Sequence, residues 1–327
     1  IRASWGETFR APSVTDLFGG GSESFPSAAD PCRQVNWAAL STDAQGRCLA
    51  AGVPAGGAVD TRPQPRALLR GNPYALRPEY AENLSVGFVY SPSWLEGFDF
   101  SADYWKVRLN DGIVTRSATN ILSGCYTLGT QPEYCSFVER SPDGLIATVR
   151  TAGFNVSELM SEGVDVSLNY RLDTDFGRLR FKWDTTYNLA TETNGVDYVG
   201  QYTGRPNWEY RSNFYTEWSR GDFDVSWTMR YVSEQTEPCW IYCIARGAAA
   251  VDVYTGDAGN LRAGSVTYHD VQFGWKAPWN AKVTVGARNV FGKEPPILQY
   301  ESFAHSFDAA YDIPGGGFYY MQYRQDF

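Results

Sequence analysis

Several features that would define other classes of protein are missing from this sequence of 327 residues. No apolar run reaches the roughly 20 residues that a helix needs to cross a bilayer, which excludes a helical membrane protein. Histidine is scarce, with only His269 and His305, and neither lies near a cysteine in sequence. Metal sites that combine Cys with His ligands are therefore not predicted. We expect no metal and no other cofactor.

Positive charge is also in short supply. The chain has 28 Lys and Arg against 37 Asp and Glu, for a formal net charge of -9. This balance argues against nucleic acid as the main partner. An initiator Met and a secretory signal are absent before Ile1, and an exported protein needs a signal. We therefore expect this chain to be a segment of a longer polypeptide.

What the sequence does contain is alternation with a period of two. In 179–188, apolar and aromatic residues alternate with charged and polar ones, and the pattern recurs in 164–171, 208–218, 223–231, 281–288 and 317–327. Period two indicates strands rather than helices. An Arg or Lys facing lipid at the bilayer midplane costs about 2–4 kcal/mol. The apolar faces are therefore predicted to meet lipid, and the charged faces a wet lumen.

The predicted architecture is an all-β, transmembrane antiparallel β-barrel. Long connections alternate with short turns, which is typical of outer-membrane barrels with long outside loops and short periplasmic turns. The chain ends at Phe327, and a terminal aromatic resembles the closing strand of such barrels. Ten strands are predicted at 1–9, 81–91, 97–109, 160–173, 177–190, 207–219, 222–233, 266–277, 280–291 and 317–327. The long surface loops are predicted at about 10–80, 110–159, 191–206, 234–265 and 292–316.

Six cysteines fall into three local pairs, Cys32 with Cys48, Cys125 with Cys135, and Cys239 with Cys243. Six cysteines allow fifteen connectivities. Pairing within each loop is favoured, because the strands of a barrel keep its loops apart. Disulfides imply an oxidising compartment such as the cell surface or the periplasm.

Specific motifs resemble one family of outer-membrane proteins. The segment 2–13 followed by 16–18 resembles a barrel segment of TonB-dependent receptors. The segment 72–79 is similar to the family's Asn-Pro-x-Leu-x-Pro-Glu motif, except for one extra residue between Pro73 and Leu76. The segments 100–105, 112–113, 163–165 and 289–293 are similar to family segments in the same order. The resemblance covers essentially the whole chain.

This resemblance implies a barrel of about 22 strands with an amino-terminal plug. The chain would supply the last ten strands, and the plug would lie outside it. The implied function is import of a scarce nutrient across the bacterial outer membrane, driven by the TonB complex and the inner-membrane proton gradient. Implied partners are membrane lipid and lipopolysaccharide, the plug and remaining strands, TonB, and a small-molecule or oligomeric ligand. An iron–siderophore, cobalamin, an oligosaccharide or a peptide would all suit these strands.

Two other functions remain open at this point. A passive porin would show the same polar lumen faces. A ten-stranded surface protease would need a catalytic constellation, and His269-Asp270 is the only neighbouring His–carboxylate pair. Adjacent strand residues point to opposite faces, so these two side chains are not placed to bond to each other. We therefore predict that the protein is not an enzyme.

Two groups of residues are candidates for ligand contacts. The first is the charged lumen face, which is interpreted as a ligand path or a plug-docking wall. The alternative is a solvated wall with cross-strand ion pairs, and this alternative is favoured for any single residue. Its members are Arg180, Lys182, Arg211, Arg230, Lys282, Arg288, Arg324, Asp165, Asp184, Glu209, Glu217, Asp224, Asp270 and Asp326. The second is a set of loop residues that would stack on a flat or sugar-like ligand, or instead pack within their own loops. These are Trp37, Trp240, Tyr242, Tyr254, Tyr300, His305 and Tyr311.

Overall fold

The computed structural model describes residues 1–26, 28, 30–59, 65–73, 76–237, 261–298, 307–312 and 315–325. Several predicted positions lie outside the described residues, namely Cys239, Trp240, Tyr242, Cys243, Tyr254, Tyr300, His305, Asp326 and Phe327. The chain divides into two compact units. The first, called the sheet unit, comprises Ile1–Glu7, Glu82–Arg108 and Leu159–Phe327, and the second, called the stapled unit, comprises Thr8–Ala81 and Leu109–Glu158.

Strands dominate the described chain. They are β1 (Arg2–Arg10), β2 (Ser22–Ser24), β3 (Ala67–Leu69), β4 (Glu79–Tyr90), β5 (Phe98–Thr115), β6 (Val138–Arg140), β7 (Ile146–Thr151), β8 (Gly153–Thr174), β9 (Gly177–Thr193), β10 (Val196–Asp197), β11 (Tyr210–Arg220), β12 (Phe223–Val232), β13 (Gln235–Glu237), β14 (Leu261–Ala263), β15 (Val266–Ala277), β16 (Ala281–Arg288) and β17 (Phe318–Gln325).

Helices are few and short. They are α1 (Val14–Phe18), α2 (Gln34–Trp37), α3 (Thr42–Ala50), α4 (Ala118–Leu122), a π-helical turn at Ser123–Leu128 and a 3-10 helix at Pro132–Phe137. None of the described helices combines the length and the apolar character needed to span a membrane.

The large sheet follows the order β1-β4-β5-β8-β9-β11-β12-β15-β16-β17, with β10 beside β9. All ten predicted strands are present in this sheet, which confirms the predicted all-β fold class. The pairs from β8 onward are antiparallel; for example, Asn213 lies opposite Asp184 on one side and Arg230 on the other. Because residues directly opposite each other share a face, this register places the predicted charged residues together.

The two faces of the sheet differ sharply in chemistry. One face, called the polar face, carries charged, amide and hydroxyl side chains. The other, called the apolar face, leaves large apolar side chains exposed, including Met321 at 74% and Val285 at 48%. Trp183, Phe181 and Trp227 lie on the apolar face, and Arg180, Lys182 and Arg230 on the polar face, as predicted.

Strands β5 and β8 extend beyond their predicted ends at 109 and 160. In β5 the backbone is irregular beyond the predicted end, since Asp111 adopts a positive φ of 55°. The Asn155 amide bridges the irregularity, donating to the carbonyl of Asp111 at 2.7 Å and to that of Arg77 at 2.9 Å. Backbone pairing therefore continues past the point where the side-chain pattern stops predicting it.

The stapled unit fills the predicted loops 10–80 and 110–159 with folded structure. A small four-stranded sheet runs in the order β2-β3-β7-β6, with β3 and β7 parallel. Its core contains Ile121, Leu122, Tyr134 and Val149, each no more than 1% exposed. The four cysteines of this unit form two disulfides within their own segments, Cys32–Cys48 and Cys125–Cys135.

A buried ion pair completes the stapled unit. The Arg140 guanidinium donates to both carboxylate oxygens of Asp30, at 2.7 and 2.8 Å, and the two side chains are only 5% and 3% exposed. Arg140 also donates to the Tyr126 hydroxyl at 3.0 Å and lies over the Tyr126 ring. Asp30 in turn accepts the backbone N–H of Cys32. The pair thus connects a disulfide to strand β6.

Candidate functional site

The polar face of the sheet unit encloses a cavity of about 540 Å³. Residues from five strands meet there in one transverse row, because the register sets Ser167 opposite Asp184, Asp184 opposite Asn213, Asn213 opposite Arg230, and Arg230 opposite Tyr268. The cavity is lined by Ser101, Asp103, Asp165, Val166, Ser167, Asp184, Thr185, Thr186, Trp208, Arg211, Asn213, Arg230, Tyr231, Val232, Tyr268, Ala310 and Tyr311.

Arg230 is the most heavily bonded side chain of this row. Its Nε and Nη2 donate to Asp270 at 2.8 and 3.1 Å, and its Nη1 and Nη2 donate to Asp312 at 2.9 and 2.6 Å. Its guanidinium carbon lies 5.0 Å from the centre of the Tyr268 ring. Both bidentate edges of the guanidinium are therefore occupied by carboxylates.

The two carboxylates are held in different ways. Asp270 belongs to strand β15, and its Oδ1 also accepts the backbone N–H of Asn289 at 2.8 Å. Asp312 belongs to a connecting segment outside the sheet strands, and its backbone N–H donates to the Tyr268 hydroxyl at 3.2 Å. One partner of Arg230 is thus part of the wall, and the other is carried by a loop.

That loop segment, 307–312, is called the latch. The Tyr311 hydroxyl accepts from the Trp208 indole at 3.1 Å and from the Gln235 amide at 2.9 Å, and Tyr311 is 4% exposed. The Tyr202 hydroxyl donates to Asp308 at 2.8 Å. These three hydrogen bonds hold the latch against the cavity, and the two to the Tyr311 hydroxyl compensate for the burial of that tyrosine.

Charge and burial both act on the latch. Hydrogen bonds from the Arg230 guanidinium hold the pKa of Asp312 below its usual range, and Arg288 adds attraction at 4.0 Å. Burial raises the pKa of Tyr311. At neutral pH, Asp312 is therefore ionised and the Tyr311 hydroxyl stays neutral.

The remaining charges of the cavity are distributed unevenly. Asp103 is paired with Arg2, and Asp184 with Lys182 at 2.8 Å. Among the described residues, the Arg211 guanidinium has no carboxylate partner, and it lies 5.9 Å from the centre of the Trp208 ring. The third aspartate of the lining, Asp165, accepts the Thr186 hydroxyl at 2.7 Å and is in no ion pair among the described residues. The cavity therefore presents one arginine without a carboxylate and one carboxylate without a cation.

The loop candidates meet different outcomes. Tyr311 lies at the cavity, while Trp37 packs against the core of the stapled unit. Trp208 was expected on the apolar face of a strand from 207; however, β11 begins at Tyr210, and Trp208 is buried at 8% against Tyr311. Glu209 was expected on the lumen face, but it precedes β11 and accepts the hydroxyl of Tyr187, a residue of the apolar face.

Sequence reasoning did not single out Asp312, Tyr268 or Gln235. Nothing in the local pattern marks an aspartate in a loop as the partner of an arginine 82 residues earlier. Tyr268 was detectable, since it stands two residues before Asp270 and hence on the same face of β15.

Two further observations bear on the chemistry of the site. His269 stacks on Trp227 and accepts its indole N–H at 3.2 Å, whereas Asp270 points to Arg230 on the other face. The two neighbours are therefore not a catalytic pair. Among the described residues, no three His, Cys, Asp or Glu side chains are grouped to hold a metal ion.

The family-like motifs have structural explanations. Gly163 lies beneath the Trp105 ring, where an added Cβ would meet Cζ2 at 2.6 Å. Asn289 adopts a positive φ of 49°, and its side chain both accepts from the backbone of Lys293 and donates to it, at 2.8 Å each. The first motif makes room for an aromatic ring, and the second closes the turn after β16.

Comparisons with known proteins agree with these observations. A family model described as TonB dependent receptor-like, beta-barrel matches residues 1–290. The siderophore receptor PirA from Acinetobacter baumannii is similar in structure, with a TM-score of 0.57 and 16% identity, over 98% of this chain and 38% of that one. A mutant of the ferric enterobactin receptor PfeA from Pseudomonas aeruginosa, in complex with enterobactin, is also similar in structure. The match has a TM-score of 0.57 and 16% identity, over 98% of this chain and 37% of that one.

No curated protein matches the sequence. The two structural matches, at 16% identity, establish a shared fold. The chain spans less than two fifths of the length of either receptor.

Proposed function

This chain belongs to the TonB-dependent receptor-like β-barrel family, and on that premise we propose that it forms part of an outer-membrane importer whose ligand passes the polar cavity. The observation that carries the proposal is the sidedness of the sheet. A polar cavity with Arg230 and Arg211 lies on one face, while Met321, Val285 and similar side chains are exposed on the other.

Only one orientation in a bilayer suits this sheet. An Arg or Lys on the lipid side costs about 2–4 kcal/mol at the midplane. With the apolar face toward lipid, Arg180, Lys182 and Arg230 all lie in the aqueous lumen. The long connections then lie outside the cell as surface loops, and the short turns lie on the periplasmic side, in the bacterial outer membrane.

The functional polypeptide is proposed to contain more than this chain. Unpaired backbone groups in hydrocarbon cost several kcal/mol each, and within the described sheet β1 and β17 each have one bonded neighbour. Further strands are therefore required to complete a barrel. By the family's architecture, a plug fills that barrel, and the TonB complex drives uptake from the inner-membrane proton gradient.

The ligand class is proposed from the cavity and from the matched receptors. A cavity of about 540 Å³ with Arg211, which has no carboxylate partner among the described residues, and with several hydroxyl groups suits a polar small molecule with an anionic group. Iron–siderophore complexes fit this description, and both receptors compared above bind or are named for siderophores. Tyr311 is the loop candidate at the cavity; Trp240, Tyr242, Tyr254, Tyr300 and His305 remain candidates outside the described residues, and Trp37 remains one in the stapled unit.

Uptake by cells that carry the complete receptor tests this proposal. A deletion strain complemented with the receptor should regain uptake of one ligand from a panel of labelled iron–siderophores, cobalamin and oligosaccharides. A protonophore that collapses the gradient should abolish that uptake. Uptake that ignores the protonophore would instead support a passive porin.

The orientation has its own test. Single cysteines at Phe181, Trp183 and Trp227 should react with a lipid-soluble probe, and cysteines at Arg180, Lys182 and Arg230 should not. The opposite labelling pattern would contradict the proposed facing.

A further inference from the structure

We propose that the latch is an internal competitor for an anionic ligand: Asp312 occupies the Nη1–Nη2 edge of Arg230, and a ligand carboxylate or phosphate takes that edge when the latch lifts. This inference deepens the proposed function, on which it rests for the ligand's access to the cavity.

The geometry identifies which edge is exchangeable. The Nε–Nη2 edge holds Asp270, which is fixed in β15 and also bound by the backbone of Asn289. The Nη1–Nη2 edge holds Asp312 at 2.9 and 2.6 Å. Since Asp312 lies in a connection and not in a strand, its carboxylate leaves the guanidinium without any change in the pairing of the sheet.

The surroundings favour a bidentate oxyanion as the replacement. A guanidinium edge matches two oxygens of a carboxylate or phosphate. Arg288 lies 4.0 Å from the present carboxylate, so an incoming anion at the same place gains a second cation. Arg211, on the wall of the same cavity, has no carboxylate partner among the described residues and is a third cation for a larger ligand.

Displacement of Asp312 also changes what the cavity offers. Tyr311 is the next residue, and its hydroxyl accepts from both Trp208 and Gln235. If the latch lifts as a unit, the indole N–H of Trp208 and the amide of Gln235 lose this partner and become donors toward the ligand. One loop segment thus blocks a cation and two neutral donors together.

Hydrogen–deuterium exchange on the purified complete receptor tests the proposal. The amide of Asp312 is the reporter, because it donates from the latch to the Tyr268 hydroxyl of β15 at 3.2 Å. The amide of Tyr311 is an internal reference, because it donates to the Asp308 carbonyl within the latch at 3.0 Å and keeps this bond when the latch lifts as a unit. Citrate and inorganic phosphate serve as probes, with chloride at matched ionic strength as the reference. Citrate or phosphate should accelerate exchange of the Asp312 amide, and chloride should not.

Two matched variants sharpen the result. Asp312→Asn should accelerate exchange by about ten-fold without any probe, since it removes a charge-assisted bidentate contact, and the probes should then add little. Asp224→Asn is the control. Asp224 is buried to a similar degree, with 17% of its side chain exposed against 19% for Asp312. It pairs with Lys282 at the other end of the same polar face. It should behave as the wild type.

Two results would overturn the proposal. One is equal acceleration by chloride, citrate and phosphate, which would reflect ionic screening alone. The other is an Asp312→Asn variant that exchanges at the wild-type rate. These measurements use no proton gradient, so a failure here leaves the uptake experiment to decide the proposed function separately.

Discussion

The two units of this chain bury opposite kinds of side chain. In the stapled unit, Ile121, Leu122 and Val149 are fully buried, as in a protein surrounded by water. In the sheet unit, Met321 is 74% and Tyr319 is 71% exposed, while arginines and carboxylates gather on the other face. Under the proposed function, the difference means that one chain is adapted to two solvents, water and lipid. Disulfides and a buried ion pair stabilise the first unit, and in the proposed orientation lipid contact stabilises the second.

The largest effect is expected from a substitution that destabilises the stapled unit alone. Asp30→Ala leaves the Arg140 guanidinium buried without its carboxylate, which should cost about 3–5 kcal/mol. Protease sensitivity within 109–158 should rise, while the β-sheet circular dichroism signal in detergent should persist. Asp43→Ala is the control, since Asp43 is exposed in the first turn of α3 and should cost less than about 1 kcal/mol. Equal losses in the two variants would contradict the buried pair's role.

A second substitution should destabilise the sheet unit alone. Met321→Arg places a charge near the middle of β17 on the apolar face and should cost about 2–4 kcal/mol of unfolding free energy in lipid. Gln322→Arg is its matched control, because the adjacent residue faces Thr284 on the polar side. Denaturant titration in bilayers measures both, and an equal cost would refute the assigned faces.

Reduction of the disulfides should distinguish the stabilities of the two units without any substitution. Each disulfide closes a short ring, with sequence separations of 16 and 10, and constrains the unfolded chain by about 2–4 kcal/mol in the loop-entropy model. A thiol reductant should lower the unfolding temperature of the stapled unit and leave that of the sheet unit unchanged. Peptide mapping without reduction should return Cys32–Cys48 and Cys125–Cys135, and should also test the predicted Cys239–Cys243 pair. Free thiols at these positions would contradict the pairing.

Acid should act on the latch only at low pH. Asp312 faces Arg230 on β12, Arg288 on β16, and Tyr268 and Asp270 on β15, and its pKa is lowered by Arg230. A lowered pKa stabilises the latch above the unfolded value of about 3.9, and this contribution disappears as pH falls through the folded value. After correction for intrinsic exchange, protection of the Asp312 amide should be constant from pH 7 to about 5. Loss of protection within that range would contradict an ionised Asp312 held by Arg230.

The smallest effect is expected at an exposed ion pair of the sheet unit. Arg178 and Asp173 pair at 2.6 Å beside the turn that joins β8 to β9, but their side chains are 53% and 62% exposed. Asp173→Asn should therefore leave the unfolding free energy essentially unchanged, because solvent screens an exposed pair. A cost like that of Asp30→Ala would mean that exposure does not distinguish the two units.

Much of the sheet was predictable because its sequence pattern is local. Alternation along β9 and β12 predicted that Lys182 and Arg230 lie on one face without knowledge of the strand pairing. The predicted faces then restrict the register, because a slip of one residue would move every side chain to the other face. The stapled unit was predicted as loops, since β2, β3 and β6 have three residues each and show no usable period. Asp312 was missed for a different reason: its partner is 82 residues away, and no pattern within the loop encodes that distance.

If the chain is exported as proposed, its two disulfide rings have a consequence for the order of events during secretion. The stapled unit is assembled from two stretches that are separated in the sequence by 82–108. Each bond nevertheless joins cysteines of the same stretch. The first ring can therefore close as soon as its own stretch meets an oxidant, before the second stretch has been exported. Correct oxidation of this ring would therefore not require a finished sheet, and a chain arrested midway through export would already carry a native crosslink.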